Sequence, residues 1–220
     1  MTNTNISLEL TEDRRDALQE LINVAMGRAG ASLANHMETF IDLSVPVITM
    51  VNRDQLAAEM SDEASLEQSQ DPVSAIRQGF YEGNNPAGIR GEAIAVFGQS
   101  CYLRLAELLS VDQNPSLQLE RELLLETTNM LTSSCMNGIA DQLSVELDYS
   151  APSMLGQQVY GYNLLDFKEI NWDFCLRIQV HYSESGGFMC NLFLLMTNPA
   201  LAQLFTLTDK LLEDLEGDYQ

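Results

Sequence analysis

Apolar and polar positions along this chain predict the same series of elements twice. From Glu12 onward, apolar residues recur at three- and four-residue spacing through Leu18, Leu21, Ile22, Ala25 and Ala29. That spacing predicts an amphipathic helix running to about His36. Thr11 suits its N-cap, and Glu12 and Asp13 lie favourably near its positive end. Residues 40–51 read as strand, with Pro46 marking an edge or a kink. The acidic, Gln- and Ser-rich stretch 54–71 reads as a short helix or loop. Residues 75–81 and 91–97 read as two strands joined around Asn84-Asn85-Pro86, and a helix is expected over 102–109.

The second half repeats the series. Asn114 reads as an N-cap and Pro115 as the first helical residue, with the helix ending near Leu143. Residues 145–149 are strand-like, with Pro152 just beyond. Residues 174–182 and 188–196 form a hairpin around Ser185-Gly186-Gly187, a last helix covers 199–215, and the acidic tail 213–220 is expected to fray. Helix, strand, hairpin, helix thus occurs twice. The fold class expected is α/β, of the α+β type: a duplicated unit with one continuous sheet made from both halves. Residues 1–220 form a single domain on this view, with repeat one at about 12–110 and repeat two at about 115–215.

One polar pattern is copied with the elements. Asp16, Glu20, Asn23 and Pro46 recur as Glu122, Glu126, Asn129 and Pro152, and 122−16, 126−20, 129−23 and 152−46 all give 106. At 100° per residue, Asp16, Glu20, Asn23 and Gly27 fall within about 60° of one another, opposite the apolar stripe. Glu122, Glu126 and Asn129 likewise oppose Leu124, Leu131 and Cys135. A single copy is what any solvated helix face looks like. Two copies are harder to dismiss, because mid-helix Asn disfavours a helix by about 0.6 kcal/mol against Ala. Small residues follow each Asn, Gly27 and Gly30 in one case and Thr132, Ser133 and Ser134 in the other. They leave room for a surface to approach, and helix packing is an equally good use.

Composition narrows the partners. With 32 acidic residues against 11 basic, the formal net charge is −21, which disfavours nucleic acid and membrane surfaces and favours partners presenting cationic groups. Solubility alone is an equally good account of that acidity. Cys101, Cys135, Cys175 and Cys190 form no CxxC pair and suit reduced, buried thiols. No leader pattern or long apolar run is present, so a soluble cytoplasmic protein is expected. There is no Ser–His–Asp set, His36 and His181 are isolated, and no Gly-rich loop follows a strand. An exposed Asn can donate and accept at once and so direct a water. Water orientation is a route to phosphoryl hydrolysis, and a carboxylate one turn away can pair with a partner Lys.

At these residues the chain resembles the CheC/CheX/FliY family of response-regulator phosphatases. That family's motif is Asp or Ser, three residues, Glu, two residues, Asn, then Pro after 21 or 22 more. Both copies fit, with 22 residues before Pro46 and before Pro152. Glu122 departs, standing where Asp or Ser is usual. The resemblance extends over about 12–215, including 91–109. It implies internal pseudo-twofold symmetry with two long motif helices on the surface. It also implies hydrolysis of the acyl phosphate on a CheY-like receiver domain. Asn23 and Asn129 would orient the attacking water and Glu20 and Glu126 would pair with the receiver's Lys. Asp16, Glu122, Pro46 and Pro152 would be accessory or binding positions. The chain would need no cofactor of its own, since Mg2+ would belong to the receiver. Two motifs on one chain resemble CheC and suit a monomer. The alternatives are a non-catalytic adaptor for a receiver or a CheD-like regulator, and a small-molecule sensor using the sheet interior.

Overall fold

The computed structural model describes residues 8–37, 42–43, 47–52, 55, 72–98, 105, 116–159, 174–179, 182–183 and 190–217. Three long helices are described: α1 (Glu12–Met37), α2 (Leu117–Leu143) and α3 (Asn198–Gly217). The strands are β1 (Asp42–Leu43), β2 (Val47–Asn52), β3 (Val73–Tyr81), β4 (Arg90–Gly98), β5 (Asp148–Tyr149), β6 (Ser153–Val159), β7 (Phe174–Gln179), β8 (Tyr182–Ser183) and β9 (Cys190–Met196). The helix expected over 102–109 and the short helix or loop expected over 54–71 lie outside the described residues, apart from Leu105 and Gln55, which are helical.

All described pairings are antiparallel. The main sheet runs β2-β7-β9-β4-β3, and β5 and β6 share the outer edge of β3. Exchange of the two halves swaps β2 with β6, β7 with β3 and β9 with β4, so the order reads the same from either side. The pseudo-twofold axis therefore passes between β4 and β9. Adding 106 to α1, β1 and β2 lands on α2, β5 and β6 to within one residue. Each half also gives a strand away. β2 follows α1 but pairs with β7 along six residues, while β6 follows α2 and pairs with β3.

Leu18, Ile22, Leu124, Leu131, Cys135 and Phe205 form one core cluster with Ile76, Phe80, Ala95 and Leu194, so the helices cover one face of the sheet. Burial on this scale is the main stabilising term, at about 25 cal/mol per Å² of apolar surface. The alternation is strict in β9, where Leu192, Leu194 and Met196 join the cluster. Arg14 ties α1 to α3: its Nε and Nη2 donate to the Asp209 carboxylate at 2.8 and 2.7 Å, and its guanidinium lies 4.9 Å from the Phe205 ring centroid. That hydrogen bond holds the Asp209 carboxyl below its usual range. Cys135 is a buried free thiol, pushed up to about 12 by desolvation.

Several expectations change. The N-cap of α2 is Ser116, whose Oγ accepts from the Leu119 N–H at 3.2 Å, and the helix begins at Leu117; Asn114 and Pro115 lie outside the described residues. Only 148–149 of the expected strand 145–149 is extended. Val145 instead closes α2, donating to the Ala140 carbonyl at 3.0 Å behind Ser144 in the left-handed conformation (φ 56°). β6 was not expected, because Gly156, Gln157 and Gln158 are poor strand formers. α3 runs to Gly217, well into the tail expected to fray. Ser144 carries a side chain where the backbone favours glycine, so Ser144→Gly should raise stability by about 1 kcal/mol, read as a higher urea midpoint at unchanged slope.

Candidate functional site

α1 and α2 lie antiparallel and in close contact, and the polar pattern rides on their outer faces. Gln142 Nε2 donates to the Leu21 carbonyl at 3.0 Å, and Arg28 pairs with Asp141 at 2.7 Å. Burial of Leu18, Leu21, Ile22, Ala25, Met26 and Ala29 turns Asp16 and Glu20 outward, with Asn23 half-buried beside them. Burial of Leu123, Leu124, Thr127, Thr128 and Leu131 does the same for Glu122, Glu126 and Asn129, all exposed. Both Glu–Asn pairs therefore sit one turn apart on solvent-facing surfaces. Ala25 lies opposite Gly138, which brings Asn129 level with Ala34. The two Asn residues are then about 16 Å apart along the helix axes, at 1.5 Å per residue. Pro46 lies outside the described residues.

The second site is the one described in detail. Asn129 Oδ1 accepts from Gln78 Nε2 at 2.6 Å, and the same nitrogen donates to the Ser150 carbonyl at 3.1 Å. Gln78 lies on β3 between Ile76 and Phe80, on the core face, and is 1% exposed. Ser150 and Gly79 exchange two further bonds: Ser150 N–H donates to the Gly79 carbonyl, and Gly79 N–H donates to Ser150 Oγ, both at 2.9 Å. Pro152 sits between β5 and β6, opposite this part of β3. It carries no N–H, so Pro152 itself leaves no donor wanting a ladder partner in the gap between the two edge strands. Pro152 follows Ser150 by two residues, and the Ser150 carbonyl and Asn129 share the Gln78 amide. The site is composite: its helix comes from one repeat and its strand from the other.

Other motif residues are more loosely placed. Glu122 accepts from Gln118 Nε2 at 3.1 Å, an ordinary intrahelical contact. Ser133, one turn after Asn129, uses its hydroxyl to bond the Asn129 carbonyl at 2.6 Å. Near Glu122, residues Leu117, Gln118, Arg121, Leu125 and Gln157 line an open depression of about 550 Å³.

Sequence reasoning missed Gln78 and Ser150. One signal for Gln78 was present: a long amide at a core-facing position of an otherwise apolar strand. Its Oε1 is buried and, among the described residues, without a partner, which costs about 1–3 kcal/mol.

The space lined by Leu18, Ile22, Ile89, Met136, Leu194 and Leu204 measures about 10 Å³, which is at most a single water. Among the described residues, no group of three His, Cys, Asp or Glu is set to hold a metal ion, and no helix is long and apolar enough to cross a membrane.

No protein-family profile matches the chain, and no curated protein matches it. Solved structures do. FliY from Thermotoga maritima is 13% identical, with a TM-score of 0.67 over 91% of this chain and 98% of that one. The FliM middle domain from Vibrio alginolyticus is 16% identical, with a TM-score of 0.58 over 87% and 99%. A CheC-like superfamily protein from Shewanella is 15% identical, with a TM-score of 0.52 over 80% and 96%. At such identities the likeness is one of fold, and this chain has the fold of the CheC/CheX/FliY proteins.

Proposed function

We propose that the chain is a protein phosphatase that hydrolyses the acyl phosphate of a CheY-like receiver domain. The observation that carries this reading is the pair of Glu–Asn faces, outward on α1 and α2 and related by the pseudo-twofold axis. Each amide, exposed at Asn129 and half-buried at Asn23, enters the receiver's site and directs a water at phosphorus. The water oxygen bonds to phosphorus, the bond from phosphorus to the aspartyl oxygen breaks, and the carboxylate leaves with the electron pair as inorganic phosphate departs. Positioning supplies most of the acceleration in such reactions, which suits a site with no acid–base pair of its own. Glu20 and Glu126 pair with the receiver's Lys, which fixes register and stabilises the complex. Mg2+ would be held by the receiver, where it would neutralise phosphoryl charge.

The likeness to a FliM middle domain supports a second reading, an adaptor that binds a receiver or a CheD-like regulator without hydrolysis. One experiment separates the two. A receiver labelled on its aspartate with ³²P is followed with and without the protein. Accelerated loss of label is the expected result. Unchanged decay at concentrations where binding is demonstrated would sink the phosphatase reading and leave the adaptor.

A further inference from the structure

We infer that Gln78 is a positioning residue for Asn129, holding its carboxamide with Oδ1 turned inward and Nδ2 presented outward, so that the second site is ordered before a partner arrives. The inference rests on the phosphatase reading for its consequence and on geometry for its substance. Gln78 Nε2 has two hydrogens, and both are committed: one to Asn129 Oδ1 at 2.6 Å and one to the Ser150 carbonyl at 3.1 Å. The second bond decides the orientation of the first. A backbone carbonyl can only accept, so the Gln78 amide cannot turn over without setting two oxygens against each other. Gln78 therefore presents a donor to Asn129, and Asn129 must answer with its oxygen. One lone pair of Oδ1 remains after that bond, and among the described residues nothing takes a hydrogen from Nδ2. An otherwise mobile, exposed side chain is thereby fixed without being blocked.

The placement of Gln78 favours this role over packing. It is 1% exposed between Ile76 and Phe80, and its Oε1 finds no partner among the described residues. An apolar side chain of the same length would fill the space without stranding that oxygen. Among the described residues, no side chain bonds Asn23 in the same way. Ser153 pairs with Arg77 and its repeat counterpart Val47 pairs with Gln179, so the position after Gln179 is the counterpart of Gln78. The sequence there has Val180, which has no side-chain donor.

The test uses the full chain and side-chain amide NMR, followed by receiver dephosphorylation. In the wild type the Asn129 amide is expected to be ordered, and Gln78→Met is expected to make it as mobile as a free surface Asn while leaving the thermal midpoint the same or higher. An Asn129 amide that is already mobile in the wild type overturns the proposal without any variant. So does one that stays ordered in Gln78→Met. With a phosphorylated receiver, Gln78→Met should lower kcat about tenfold in the Asn23→Ala background, with KM little changed, and should leave the Asn129→Ala background untouched. Equal losses in both backgrounds would mark a structural defect and overturn the assignment. If the wild type does not dephosphorylate the receiver, the phosphatase reading fails for that receiver, and the amide measurement still decides whether Gln78 orients Asn129.

Discussion

With Asn23 and Asn129 both replaced by Ala, the receiver's phosphate should last as long as it does with no protein added. On the proposed mechanism each amide places a water, and loss of such placement would cost on the order of 10²-fold in rate. While one Asn survives, the other site keeps working, so each single variant should retain part of the activity. The two should not be equal. Asn129 is held by Gln78 at 2.6 Å, so the larger share is expected at the second site and Asn129→Ala should lose more than half. Ala raises helix propensity by about 0.6 kcal/mol at each position, while Asn129→Ala also takes a partner from the buried Gln78 amide, so the fold of each variant is read alongside its activity. Asn→Asp is the stricter control. It keeps the shape, removes the donor and sets a negative charge beside the phosphoryl group, so it should be no more active than Ala. Single-turnover decay of the labelled receiver, with circular dichroism on each variant, reads all of this. Full activity in the double variant would remove the amides from the mechanism.

The carboxylates should behave differently. Glu20 and Glu126 are exposed, and a pair made with a receiver Lys is screened by salt. On the proposed mechanism their loss should fall on complex formation, while loss of the amides should fall on the chemical step.

Much of the scaffold could be read from local pattern. The 3.6-residue period of α1 and α2 placed Glu20, Asn23, Glu126 and Asn129 opposite the buried stripe, and each is on the outward side as expected, with Asn23 half-buried. The β3–β4 hairpin follows from two alternating stretches around Asn84-Asn85-Pro86. Exchange of β2 and β6 between the halves could not be read, because strand pairing is non-local and nothing in 47–52 specifies β7 as its neighbour. β6 was hidden by its polar residues and by bulges in its pairing with β3. The Gln78–Asn129 contact joins residues 51 apart, and only the exchanged sheet brings them together. By sequence the second motif departs from the family pattern at Glu122, a residue that bonds only Gln118 among the described residues. The geometry that favours the second site came from a strand in the other repeat.

Gly138→Ala should destabilise the fold even though alanine is the better helix former. A Cβ on Gly138 would lie 2.6 Å from Ala25 Cα and 2.8 Å from Ala25 Cβ, and neither is the end of a flexible side chain. Relief requires α1 and α2 to separate by most of an ångström along a contact that also carries the Gln142–Leu21 bond at 3.0 Å. Overpacking of this kind costs about 1–3 kcal/mol, and Gly→Ala returns about 1 kcal/mol of helix propensity. For the single substitution the two nearly cancel at the low end of that range and leave about 2 kcal/mol of loss at the high end. Gly138→Val removes the ambiguity, since it adds two methyl groups to the same contact and gains less propensity. It should lower the thermal midpoint by several degrees, at about 2–4 °C per kcal/mol for a chain of this size. Ala25→Gly in the same chain tests the cause. It removes the atom at 2.8 Å, so Ala25→Gly combined with Gly138→Ala should be more stable than the sum of the two single changes predicts. Strict additivity would assign the damage to the Ala25 Cα at 2.6 Å, which glycine retains, rather than to its methyl group. Because Asn23 and Asn129 ride on these two helices, Gly138 sets the spacing of both candidate sites as well as the packing beneath them.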